Sequence, residues 1–167
     1  MASFNNNIFT EYDDWMTPKS AWEDIKKYIP NDKKIWEAFY GNGTSGQYLK
    51  ELGFDIIHEP IDFFKNDKGD IIVSNPPYSR DLLPNILERL HNLDKPFILI
   101  LPCSKICTKY FQKLEKFKNN IQIIIPKGRI KFKKLVDGKI DETKKSPSFD
   151  CFYYCWKIKL DNDITFL

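Results

Sequence analysis

At 167 residues the chain is a little over one domain length, 42% hydrophobic and 15% aromatic: enough for a real core, and too aromatic for disorder. Lys and Arg total 26 against 23 Asp and Glu, and the resulting +3 is too mild to announce a nucleic-acid partner by itself. No apolar run approaches the ~20 residues that span a bilayer, and residues 1–7 lack the basic and apolar parts of a signal peptide, so a soluble, intracellular protein is expected.

Thr17 as N-cap and Pro18 at the first helical position predict a helix over 19–28, with Trp22, Ile25 and Ile29 on one face. Residues 34–39 read as a strand, followed by a glycine-rich loop and a short helix through Leu49 and Leu52 that Gly53 ends. Further strands are predicted at 54–58 and 70–74, the latter halted by Asn75-Pro76-Pro77-Tyr78. A helix over 82–93, a strand over 97–101, a helix over 105–117 and a strand over 121–125 follow. The aromatic run 149–158 reads as a closing strand, and the polar loop before it suggests that it runs antiparallel at the sheet edge. No repeat or linker interrupts this order, so residues 1–167 are expected to form one domain. Strands alternating with helices predict an α/β fold, a mostly parallel sheet with helices on both faces, whose ligand site lies beyond the carboxyl ends of the strands.

The four cysteines fall in two C-x-x-x-C pairs, Cys103/Cys107 and Cys151/Cys155. Strand positions four apart lie about 13 Å apart, so the second pair cannot share an ion, and no ligand pair stands near the first. Buried reduced thiols and no metal site are expected.

Gly41, Gly43 and Gly46 spell G-x-G-x-x-G between a strand and a helix. Such a turn brings bare backbone close to a nucleotide-like ligand. Glu59, roughly twenty positions on, is placed to accept ribose hydroxyls. The loop alone does not separate a dinucleotide from S-adenosylmethionine; Glu37 favours the latter, because a carboxylate there can pair with an amino-acid ammonium.

Asn75-Pro76-Pro77-Tyr78 is the sharpest signal. Two prolines stiffen the loop and remove two backbone donors. The Asn75 amide oxygen and the Pro76 carbonyl can then accept both hydrogens of a planar amino group, favouring rehybridisation and the positive charge that develops at nitrogen. Tyr78 offers a stacking platform for a base taken out of a helix.

The order Asp14-Trp15-x-Thr17-Pro18, Glu37-Ala38-Phe39-x-Gly41-x-Gly43, Asn75-Pro76-Pro77-Tyr78 resembles the phage and giant-virus adenine-specific (amino-N6) DNA methyltransferases. The segment Lys127-Gly128-Arg129-Ile130-Lys131-Phe132 and the closing aromatic strand extend the resemblance over nearly the whole chain. It implies a Rossmann-like class I methyltransferase, with S-adenosylmethionine as cofactor and DNA, or alternatively RNA, as partner. By the same resemblance Trp15, Thr17 and Pro18 border the methionine end of the cofactor, Glu37, Gly41 and Gly43 cradle it, and Glu59 takes its ribose. Asp62 with Phe63 takes its adenine, and Phe39 and Asn75 complete the set. Two features depart from the family: its loop commonly opens Asp-Pro-Phe where this chain has Glu37-Ala38-Phe39, and the longest polar insertion, 133–147, is too short for a target-recognition region. Sequence selectivity is therefore expected to be short, loose, or supplied by a protein partner or second subunit.

Between Pro126 and Lys145 stand eight basic residues and three acids, a local +5 on a body of −2. This flexible basic loop is a candidate phosphate-binding element through Lys127, Arg129, Lys131, Lys133 and Lys134. With one arginine in it, backbone contact is favoured over base readout. Three other readings stay open. One is methylation of RNA adenine or guanine, or of a protein glutamine amide; another is a dinucleotide-dependent oxidoreductase, which leaves the tetrapeptide unexplained; the third is a non-catalytic nucleic-acid-binding remnant.

Overall fold

A computed structural model describes residues 15–167 with the exception of Gly138. Asp14 and residues 1–7, used in the sequence reading, lie outside the described residues. In chain order the elements are β1 (Trp15–Met16), α1 (Lys19–Asp24), β2 (Ile35–Trp36), α2 (Thr44–Glu51), β3 (Ile56–Ile57) and β4 (Ile71–Ser74). Then come α3 (Leu83–Leu93), β5 (Phe97–Pro102), α4 (Lys109–Gln112), α5 (Glu115–Asn120) and β6 (Gln122–Ile125). The chain continues through β7 (Lys133–Val136), β8 (Lys139–Ile140), β9 (Cys151–Trp156) and β10 (Ile164–Phe166).

Among the described residues a seven-stranded sheet has the order β10-β6-β9-β5-β4-β2-β3. β2 pairs in parallel with β3 and β4, β4 with β5, and β6 with β10; β9 alone runs against its neighbours β5 and β6. The protein is thus α/β, with a mixed, mostly parallel sheet. Strict alternation divides the strand side chains between two layers. Trp36, Ile72, Phe97, Leu99, Leu101, Tyr154 and Trp156 point to one, where Leu83, Leu87, Leu90, Phe111 and Phe117 from α3–α5 cover them. Ile35, Ile71, Val73, Ile98, Ile100, Tyr153 and Cys155 point to the other, covered by Trp22 of α1 and Leu49 of α2. Continuous apolar strands such as Phe97–Pro102 are the expected product of burial on both faces.

The structure corrects the sequence reading in several places. α1 stops at Asp24 and a 3₁₀ turn, Lys26–Tyr28, completes the predicted span. Its N-cap position is Pro18 in extended conformation, not Thr17, whose hydroxyl is engaged elsewhere. The predicted helix over 105–117 breaks into a 3₁₀ turn (Cys103–Cys107), α4 and α5. Thr108 causes the first break: its hydroxyl caps Phe111 N at 3.4 Å, starting a new helix there. Phe111, Leu114 and Phe117 still reach the core, so the periodicity was sound although the helix is not continuous. β9 is not an edge strand but lies inside the sheet, because Tyr153, Tyr154, Cys155 and Trp156 are apolar enough to be buried on both faces. The edge is β10, which carries exposed Ile164 and Phe166.

The expected flexible loop is partly ordered: β7 and β8 form a hairpin, and β1 pairs antiparallel with β7 to make a separate three-stranded sheet. Of the thiols, Cys151 and Cys155 are buried, but Cys107 is exposed and Cys103 half-buried, since both sit in the surface 3₁₀ turn. Burial pushes the Cys151 and Cys155 thiols up to about 12. No helix among the described residues is long and apolar enough to cross a membrane.

Candidate active site

β2 and β4 are parallel neighbours, so the glycine loop after one and Asn75-Pro76-Pro77-Tyr78 after the other leave the same side of the sheet. Gly41 and Gly43 take φ values of +58° and +89°, a region that L side chains avoid. A Cβ on Gly41 would meet only the Phe39 carbonyl oxygen, 3.9 Å away, so bare backbone is presented there. Gly46 serves a different need: a Cβ there would lie 2.0 Å from Nδ1 of His58. The third glycine of the motif therefore admits the imidazole.

Behind this loop Glu37 is 1% exposed. The Ser74 hydroxyl, at the end of β4, donates to Glu37 Oε1. His58, just after β3, brings Nε2 to 2.8 Å from Glu37 Oε2, close but off the hydrogen-bond line, and Tyr40 stacks on its ring at 4.5 Å. The carboxylate thus ties the ends of β2 and β4 together and stands against His58, just after β3. An ammonium partner for Glu37, as the sequence suggested, would compete with His58 for Oε2, which makes no hydrogen bond here. Neither His58 nor Ser74 was singled out from the sequence, because their link to Glu37 spans 21 and 37 positions.

Asn75 is held from both sides. Its Nδ2 donates to Thr17 Oγ1 at 3.0 Å, and its Oδ1 accepts from the Tyr78 hydroxyl. The same hydroxyl lies 3.0 Å from the Ile100 carbonyl and 3.9 Å from Cys151 Sγ. The Tyr78 ring meets Phe149 edge-on at 5.8 Å and packs against both core layers. The sequence made Tyr78 an open stacking platform; the structure instead seats its hydroxyl inward, where a part-buried phenol finds acceptors.

The two-residue strand β1 ties these parts together. Met16 Sδ accepts from Asn42 Nδ2 of the glycine loop at 3.2 Å, and the next residue, Thr17, holds Asn75. On its other side β1 pairs with the basic hairpin, Trp15 opposite Lys134 and Met16 opposite Lys133. Trp15 is half-buried beneath the Lys134 ammonium, which stands 5.2 Å from the ring centroid. Pro18, also half-buried, follows directly.

The remaining predicted residues spread over several environments. Glu59 is exposed. Asp62 accepts from Phe64 N at 2.8 Å in a tight turn and faces Lys65 at 3.7 Å. Phe63 is wholly buried between Trp36 and Phe39, so its ring is a core group, and Phe39 is buried beside it. Lys127, Lys131 and Lys133 are exposed, the last 3.5 Å from Glu142. Arg129 makes a two-pronged pair with Asp150 at 2.9 and 3.3 Å, which holds the Asp150 carboxyl below its usual range. An open concavity of about 740 Å³, lined by Glu23, Lys27, Tyr28, Leu52 and Phe54, lies at the opposite, amino-terminal ends of β2 and β3 and holds none of the candidate residues. Among the described residues no group of three or more His, Cys, Asp or Glu could hold a metal ion. No family model matches the chain, and no curated protein matches it.

Proposed function

We propose that this protein is a Rossmann-like class I methyltransferase that transfers a methyl group from S-adenosylmethionine to the N6 amino nitrogen of adenine in DNA. The observation that carries the reading is the fixed Asn75 amide on a proline-stiffened loop beside a glycine loop with open backbone, on adjacent parallel strands. The strand order β3-β2-β4-β5-β9-β6-β10, with β9 alone reversed, supports the class I assignment. Ligands of such sheets sit beyond the strand carboxyl ends, where both loops lie.

Gly41 fits a cofactor of this kind because it offers open backbone, while Gly43 takes a positive φ with Tyr40 packed against it. A bound S-adenosylmethionine would supply an electrophilic methyl, with the S–CH₃ bonding pair left on sulfur as the N6–CH₃ bond formed and the N6 proton passed to solvent. The chain's own part is to hold and polarise the amino group. Asn75 Oδ1 has two lone pairs, one taken by Tyr78, and the other accepts from the adenine amino group. The Pro76 carbonyl accepts the second amino hydrogen. Both contacts strengthen as positive charge develops on nitrogen, so they favour the transition state over the ground state. No covalent enzyme intermediate is involved, in keeping with the raised pKa of Cys151 near the loop.

The test is incubation with methyl-labelled cofactor and DNA or RNA, followed by digestion and nucleoside chromatography. N6-methyladenine from DNA is the expected product. Cofactor binding without any N6-methyladenine, or label found in protein, overturns the reading. A second measurement probes the hairpin: Lys127→Glu with Lys131→Glu is expected to raise KM for DNA evenly across sequences and to reduce the salt slope by about two, since two phosphate contacts are lost. An unchanged salt slope would remove these lysines from the DNA interface.

A further inference from the structure

We infer that Thr17 is a positioning residue for the transfer step: its hydroxyl oxygen, by accepting from Asn75 Nδ2, fixes which way the Asn75 amide faces. The inference rests on the methyltransferase reading but departs from the cofactor-bordering role that the sequence resemblance gave to Thr17. An Asn side chain has two nearly isosteric ends with opposite hydrogen-bonding character, and only the oxygen can accept from an amino group. Nothing within Asn75 itself prefers one orientation. The environment must choose, and here Thr17 Oγ1 at 3.0 Å receives the NH₂ end while the oxygen end faces the Tyr78 hydroxyl.

Tyr78 meets the oxygen end of the same amide. A phenol both donates and accepts, so it could meet either end of the amide. Thr17 also carries a hydroxyl, but it is 4% exposed and is itself placed by the chain on either side. Met16 before it pairs with Lys133 and holds Asn42, and Pro18 after it fixes the entry to α1. Thr17 Oγ1 is therefore held where the NH₂ end of Asn75 meets it. This also accounts for its absence from the helix cap, which the local sequence had favoured.

Three variants and two readouts test the idea. The Asn75 side-chain NH₂ resonances, identified by their loss in Asn75→Asp, report the orientation by NMR without any turnover. Thr17→Val keeps the shape and removes the acceptor; Thr17→Ser keeps the acceptor. Thr17→Val is expected to shift the Asn75 NH₂ resonances and speed their exchange with water, and to lower kcat by about tenfold with KM for DNA and cofactor affinity within about twofold, because one transition-state contact is misaimed. Thr17→Ser is expected to restore both readouts to within about threefold of wild type. Unmoved NH₂ resonances in folded Thr17→Val overturn the inference, as does Thr17→Ser behaving like Thr17→Val. If wild-type protein makes no N6-methyladenine, the functional proposal fails, and the NMR comparison still decides whether Thr17 orients Asn75. A Thr17→Val protein that loses cofactor affinity at unchanged NH₂ resonances returns Thr17 to a cofactor role and overturns the inference as well.

Discussion

Asn75→Ala is expected to lower the rate of N6-methyladenine formation by about 10²- to 10³-fold, the usual effect of removing one preorganised polar group aimed at developing charge. The side chain carries its acceptor on a loop that two prolines make rigid. Binding of S-adenosylhomocysteine, followed by calorimetry, is expected to stay within about threefold, because the lost contact is made to the target amino group. The variant also loses the hydrogen bonds to Thr17 and Tyr78, at a cost of about 1–2 kcal/mol, which leaves the protein folded at 25 °C. Asn75→Asp separates the two functions of the amide. It retains an oxygen towards the substrate but has no N–H for Thr17, and its activity is expected to fall between those of Asn75→Ala and wild type. Single-turnover rates that are equal in Asn75→Ala and wild type would remove Asn75 from the chemistry.

What could be read from the sequence depended on how far apart the interacting residues lie. The apolar runs that became β4, β5 and β9 were legible because burial on both faces writes itself into consecutive residues. The glycine loop and the tetrapeptide were legible because each needs backbone conformations that few residue types provide. β1, β7 and β8 left no such mark. They are two to four residues long and partly exposed; β7 and β8 pair locally, and β1 exists through pairing with β7 across more than a hundred positions, as between Trp15 and Lys134. Thr17 shows the same limit in one residue. Locally it reads as a helix cap, and only the folded chain brings Asn75, 58 positions away, to its hydroxyl. Phe63, which the family resemblance sets at the cofactor adenine, is packed between Trp36 and Phe39.

Glu37→Ala is expected to destabilise the protein by about 3 kcal/mol, or a fall in Tm of about 6–12 °C for a chain of this size. The carboxylate is 1% exposed and is approached by Ser74 from β4 and His58 from β3. Truncation leaves the buried Ser74 hydroxyl without its acceptor, removes the carboxylate beside His58, and opens a cavity behind the glycine loop. Glu37→Gln keeps the volume and an oxygen for Ser74, so about half of that loss is expected, read by calorimetric unfolding. The same pair of variants separates a structural pin from a cofactor ligand. A carboxylate that binds an ammonium is replaced by Gln with a large loss of cofactor affinity and little change in Tm. A carboxylate that pins strand ends together gives the reverse, a lower Tm with affinity reduced only as far as the glycine loop loosens. A Cβ on Gly46 would lie 2.0 Å from Nδ1 of His58, so the start of α2 closes one side of the imidazole. The geometry therefore favours the pin, and Tm is the quantity expected to move.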